Sequence, residues 1–101
     1  MFNKEIVVKD RKSIYIAKSD FEKLNELKKR LYKHNISYAL HHVMSKVNYN
    51  IIEYAEVEET DRQLISIEAD LCKTLSLIKL EHNVKSMASI VNSILKNYKE
   101  N

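Results

Sequence analysis

The sequence predicts a mainly α chain carrying a two-stranded antiparallel β-ribbon, built as two β-α-α units that pair within one polypeptide. Three observations carry this expectation. Glycine and proline are both absent from the 101 residues, and all-β folds lean on both at their turns, so helices are favoured. The segment Asp10-Arg11-Lys12-Ser13-Ile14-Tyr15-Ile16 returns as Asp61-Arg62-Gln63-Leu64-Ile65-Ser66-Ile67, sharing D-R-x-x-I-x-I at an offset of 51. His34-Asn35-Ile36 returns as His82-Asn83-Val84 at an offset of 48, each followed by Ser and then Ala (Ser37 and Ala39; Ser86 and Ala88). The changed offset makes the intervening segment three residues longer in the first copy.

Each element follows from its pattern. Met1 to Lys9 precedes the first copy, and Ile6-Val7-Val8 is either an added strand or a loosely packed arm. The D-R-x-x-I-x-I segment alternates as a half-buried strand does, with Ile14 and Ile16 inward and Arg11, Ser13 and Tyr15 outward. Its counterpart turns Ile65 and Ile67 inward and Arg62, Leu64 and Ser66 outward. A helix capped by Ser19 or Asp20 then carries Phe21, Leu24, Leu27 and Leu31 at helical spacing. The matching helix opens at Glu68 to Asp70 and carries Leu71, Leu75 and Ile78. Both stop near the His-Asn pair, since Asn is the best residue for a left-handed turn in a chain without glycine. A second helix starts at Ser37 with Leu40, Val43, Met44, Val47 and Ile51 as its stripe. Its match starts at Lys85 or Ser86 and carries Met87, Ile90, Val91, Ile94, Leu95 and Tyr98.

One domain, 1–101, therefore holds a first repeat at 10–52, an acidic connector at 53–61 and a second repeat at 62–101. The connector has five acids and no base, and reads as the frayed end of a helix plus a solvated linker. Residues 1–50 carry eleven bases and five acids (+6), and residues 51–101 six bases and nine acids (−3).

Composition also excludes. Phosphate-cradling G-x-x-x-x-G-K-[ST] and G-x-G-x-x-G loops, and the G-x-S-x-G nucleophile elbow, all need glycine. The single cysteine, Cys72, forms no internal disulfide and no thiolate zinc site; beside Leu71 it reads as a small buried residue. His41 and His42 diverge by roughly 100° on a helix and cannot face one ion. His34 and His82 are turn residues with no carboxylate at ligand spacing beside them. No metal, no cofactor and no catalysis are expected. Without a leader-like N-terminus or an apolar run of spanning length, a cytoplasmic chain with no membrane partner is expected.

A β-α-α unit of about 40 residues is too small to bury a stable core alone, and its lone strand has unpaired edges. Two copies solve both problems. The D-R-x-x-I-x-I strands, each followed by two amphipathic helices, resemble the ribbon-helix-helix superfamily of the Arc, MetJ and CopG repressors. The tandem single-chain form resembles the TraY family of plasmid transfer proteins. Missing glycine at the inter-helix turn and the long first helix depart from many members. The resemblance implies a β-α-α-β-α-α intramolecular pseudo-dimer that binds double-stranded DNA, as a relaxosome accessory protein at a transfer origin or as a transcriptional repressor. A relaxase and further copies of the chain are the implied protein partners.

Physical chemistry points the same way. A two-stranded ribbon fits the major groove, where outward side chains reach base edges. The base-contacting candidates are Arg11, Ser13, Tyr15, Arg62, Leu64 and Ser66. Two of only three arginines hold equivalent positions, where lysine would supply charge alone. The alternative is that they pair with Asp10 and Asp61. With Tyr15 opposite Ser66 and Ser13 opposite Leu64, a non-palindromic site is expected. Phosphate-contacting candidates are Ser37, Lys85 and Ser86 at the starts of the second helices; ordinary N-caps are the alternative. Lys28, Lys29, Arg30 and Lys33 read as a solvated face before a phosphate contact. Other function classes are an antitoxin, set lower because the chain ends at Asn101 after its last helix, and a helical protein-interaction module that does not bind DNA.

Overall fold

The computed structural model describes residues 10–31 and 35–99; Ile6-Val7-Val8, Tyr32, Lys33 and His34 lie outside them. The elements run β1 (Arg11–Ala17), α1 (Lys18–Arg30), α2 (Ile36–Lys46), β2 (Arg62–Glu68), α3 (Ala69–Glu81) and α4 (Met87–Lys96). This is the expected order β-α-α-β-α-α, but the class is corrected from mainly α to mixed α/β. Both strands run seven residues and pair along their full length into one antiparallel sheet. Their inward residues Ile14, Ile16, Ile65 and Ile67 are buried and join one core with Leu24, Leu40, Val43, Leu75, Ile90, Val91 and Ile94. The sheet is thus one face of the core, with helices as the other.

The repeat is more regular than the landmarks imply. α1 and α3 each have 13 residues and start 51 apart, and α2 and α4 also start 51 apart, capped by Asn35 and Ser86. Strand pairing obeys the same offset: Ile14 lies opposite Ile65, its own counterpart, so a pseudo-twofold axis crosses the ribbon there. The bonds that extend the ladder match as well, Lys18 N–H to the Asp61 carbonyl (3.0 Å) and Ala69 N–H to the Asp10 carbonyl (2.9 Å). The three-residue insertion is therefore corrected. Asn35 and Asn83 do different work: Asn35 is extended (φ −156°) and its side chain accepts from the Tyr38 amide. Asn83, at φ 54°, makes the left-handed turn after α3.

Two helix boundaries move. α1 starts at Lys18 with no side-chain cap, so neither Ser19 nor Asp20 fills that role. α2 ends at Lys46, which leaves Ile51 outside the helix and exposed.

The connector is not a solvated linker. It lies against α4 as an extended strap, with the Ala55 and Val57 amides donating to Ser93 Oγ (3.2 Å) and Ser89 Oγ (2.9 Å). This contact lets α4 be buried from Ala88 to Leu95, serines included, because Ser89 and Ser93 find partners in the strap, while Asn92 finds its own in α1. Tyr54 anchors the strap's start: its hydroxyl donates to the Tyr49 carbonyl (2.6 Å), and burial pushes its pKa up to about 12. Two strap carboxylates serve helix starts. Glu56 accepts from the Lys85 amide (3.0 Å) and Ser89 Oγ (2.9 Å) before α4, and Glu59 accepts from the Ser19 amide (3.1 Å) and hydroxyl (2.6 Å) in α1. Anionic groups are favoured at such ends by the helix dipole and the orphan amides. Those bonds hold Glu59 below its ordinary pKa, helped by the nearby Arg62 charge.

One buried polar pair breaks the pseudo-symmetry. Asp20 stands where the second copy has Leu71, and it is fully buried. Its Oδ2 accepts from Asn92 Nδ2 (2.9 Å), while Oδ1 has no partner among the described residues. Burial pushes its pKa up, against the lowering effects of Asn92 and Lys23.

Candidate nucleic-acid interface

Period-two alternation builds this surface. With the four isoleucines facing the helices, Arg11, Ser13, Tyr15, Arg62, Leu64 and Ser66 all lie exposed on the opposite ribbon face. All six base-contacting candidates are thereby brought together. Their cross-strand neighbours differ from expectation: Ser13 lies opposite Ser66, and Tyr15 opposite Leu64. The expected pairs are repeat counterparts, and antiparallel pairing about a dyad places every residue but the one on the dyad, Ile14, opposite another's counterpart.

The arginines are not equivalent. Arg11 crosses the ribbon, its Nε donating to Ser66 Oγ (2.9 Å) and its Nη2 to the Ser66 carbonyl (2.7 Å). In register it faces Glu68, whereas Arg62 faces Ala17. The counterpart of Ser66 on the Arg62 side is Tyr15, which places an aromatic ring where Arg11 finds an acceptor. Arg62 instead acts on the Glu59 carboxylate. The Arg11 bonds to Ser66 span 55 positions, a separation that local sequence does not signal.

The phosphate candidates fare differently. Ser37 is corrected: it is 2% exposed, and its Oγ accepts from the Glu68 amide (3.1 Å). The helix starts one residue earlier than expected, which turns Ser37 inward to close the end of β2. Ser86 is the α4 N-cap, its hydroxyl accepting from the Ser89 amide (3.1 Å). Lys85 is exposed, but its backbone N–H is taken by Glu56. The Lys85 amide before α4 therefore already holds a carboxylate from the same chain. At the start of α2, Tyr38 stands 42% exposed. On α1, Lys29 and Arg30 are exposed and Lys28 is half-buried.

Glu56 and Glu59 are the residues that sequence reasoning missed. Their partners lie 29 to 40 positions away, and nothing in the local pattern of acids marks them as caps. His41 is exposed, His42 packs edge-on against Tyr98, and Cys72 is half-buried. Among the described residues no three His, Cys, Asp or Glu side chains gather to hold a metal ion, and no helix is long and apolar enough to cross a membrane. Compared with protein-family models, curated proteins and solved structures, the chain matches none.

Proposed function

We propose that this chain binds double-stranded DNA sequence-specifically by laying its β-ribbon in the major groove, as a tandem ribbon-helix-helix protein. The observation that carries the reading is the ribbon face itself. It displays Arg11, Ser13, Tyr15, Arg62, Leu64 and Ser66 together, with one strand carboxylate, the half-buried Glu68, opposite Arg11 at the ribbon's end. The dyad at Ile14–Ile65 gives a groove-sized ribbon a defined centre. The role that follows is that of a relaxosome accessory protein at a plasmid or mobile-element transfer origin, or of a transcriptional repressor.

The test is fluorescence anisotropy of the full chain on duplexes from the region upstream of its gene and on scrambled duplexes, at several salt concentrations. Preference for one duplex, with affinity falling steeply as salt rises, supports the reading. Absence of binding to any duplex at low salt removes it.

A second reading, a helical protein-interaction module, is favoured by one observation. Leu77 and Leu80 on α3 are 54% and 78% exposed, and Leu80 borders a groove with Val84 and Met87. It gains if duplex binding fails while substitution of these leucines alters association with other proteins.

A further inference from the structure

The exposed ribbon face divides at the Ile14–Ile65 pair into halves of different chemistry. In one half Ser13 and Ser66 lie opposite each other, and two hydrogen bonds to Ser66 hold the Arg11 guanidinium over the strands. In the other half Tyr15 and Leu64 lie opposite each other, 60% and 47% exposed, while Arg62, at the far end of that half opposite Ala17, acts on the Glu59 carboxylate and has no serine across from it to hold it over the strands. The pseudo-twofold that relates the backbones does not relate these side chains.

Each half has a different complement on DNA. A leucine side chain offers no hydrogen bond, and the apolar group on the floor of the major groove is the thymine 5-methyl. A phenol ring beside it adds a flat apolar surface with a hydroxyl at its tip. Guanidinium has five N–H donors. Arg11 commits two to Ser66 and, among the described residues, leaves three for the paired acceptors O6 and N7 of guanine, in a side chain that those two bonds orient. Ser13 stands beside it as a donor or acceptor for the neighbouring base.

Resting on the DNA-binding reading above, we propose that the chain recognises a directional, non-palindromic site. Guanine lies under the Arg11–Ser13–Ser66 half, and thymine methyls lie under the Tyr15–Leu64 half. A symmetric ribbon would repeat one readout on both sides of its dyad. Here the dyad separates two.

The experiment selects duplexes from a random library with the full chain. In the enriched site each thymine is then replaced by deoxyuridine and each guanine by 7-deazaguanine, and affinities are read by anisotropy. The expected consensus is not a palindrome. Loss of a methyl weakens binding about fourfold per contact, the equivalent of one buried methylene, and only in one half. Loss of N7 weakens binding only in the other half. Leu64→Ala abolishes the uracil sensitivity and keeps the 7-deazaguanine sensitivity, whereas Arg11→Ala does the reverse and weakens binding about fivefold or more. Both side chains are exposed, and circular dichroism of each variant checks that the fold is unchanged. A palindromic consensus, or sensitivities that fall equally in both halves, overturns the directional site and leaves DNA binding standing. If no duplex is enriched, both fall, and the Tyr15–Leu64 pair becomes a protein contact.

Discussion

Glu56→Ala tests whether the acidic strap is structural. The substitution removes two bonds, from the Lys85 amide and from Ser89 Oγ. Lys85 is exposed, so water replaces the carboxylate at its amide and that loss is small. Ser89 is 1% exposed, but Ser86 Oγ lies 2.9 Å away and can take over its hydroxyl. What remains is a charge-assisted contact and the favourable charge at the start of α4, together about 1–2 kcal/mol. For a domain of this size each kcal/mol moves Tm by roughly 4–8 °C. The assay is urea and thermal unfolding followed by circular dichroism. Glu58→Ala, an exposed acid on the same strap, is the control for charge alone and is expected within about 0.5 kcal/mol of wild type. A cycle with Ser89→Ala should return a coupling of at least about 0.5 kcal/mol, since the two side chains touch. Equal stability of Glu56→Ala and Glu58→Ala, with no coupling to Ser89, would refute the reasoning and return the strap to a solvated linker.

Other expectations follow from the same contacts. Asp20 has its pKa raised above 3.8, so the unfolded chain releases this proton first. Its contribution to stability is therefore greatest below that value and declines as pH rises through the folded-state pKa. Asp20→Asn removes the buried charge while keeping an acceptor for Asn92; stability at pH 7 should rise by about 1 kcal/mol in urea melts. Glu59 is lowered from 4.5, so its contribution is present above that pH and is lost as pH falls through the folded-state value. Glu59→Gln should flatten that acid limb in melts taken across pH 2 to 6, where pH series of this kind locate carboxylate effects. Asn83 holds a positive φ of 54°, so Asn83→Val should cost about 1–2 kcal/mol and Asn83→Gly should cost nothing, by the same melts.

What the sequence made legible follows from which interactions are local. The strands were readable because period-two alternation of isoleucine with polar residues is a property of seven consecutive positions, and the outward set followed from it. Helical stripes such as Leu24 and Leu27, or Ile90, Val91 and Ile94, were readable for the same reason. The starts of α1 and α2 were not, because several neighbouring residues can cap and only tertiary contacts choose between them. Asn35 caps because Ser37 is drawn to the Glu68 amide. The His-Asn landmark misled because identity of residue type is not equivalence of position: Asn35 begins a helix and Asn83 leaves one. Arg11 on Ser66, and Glu56 and Glu59 on helix starts, join residues far apart in sequence. No window of sequence holds both partners. The class label failed through emphasis, since two short strands count little by length yet supply four buried isoleucines to the core.

Amide chemical-shift mapping of the full chain during titration with its preferred duplex tests most directly the proposal that the ribbon face meets DNA. The largest shifts are expected along Arg11–Ala17 and Arg62–Glu68, with little change at Leu77 and Leu80 on α3. Shifts concentrated on α3, or a duplex that perturbs no ribbon amide, would contradict it.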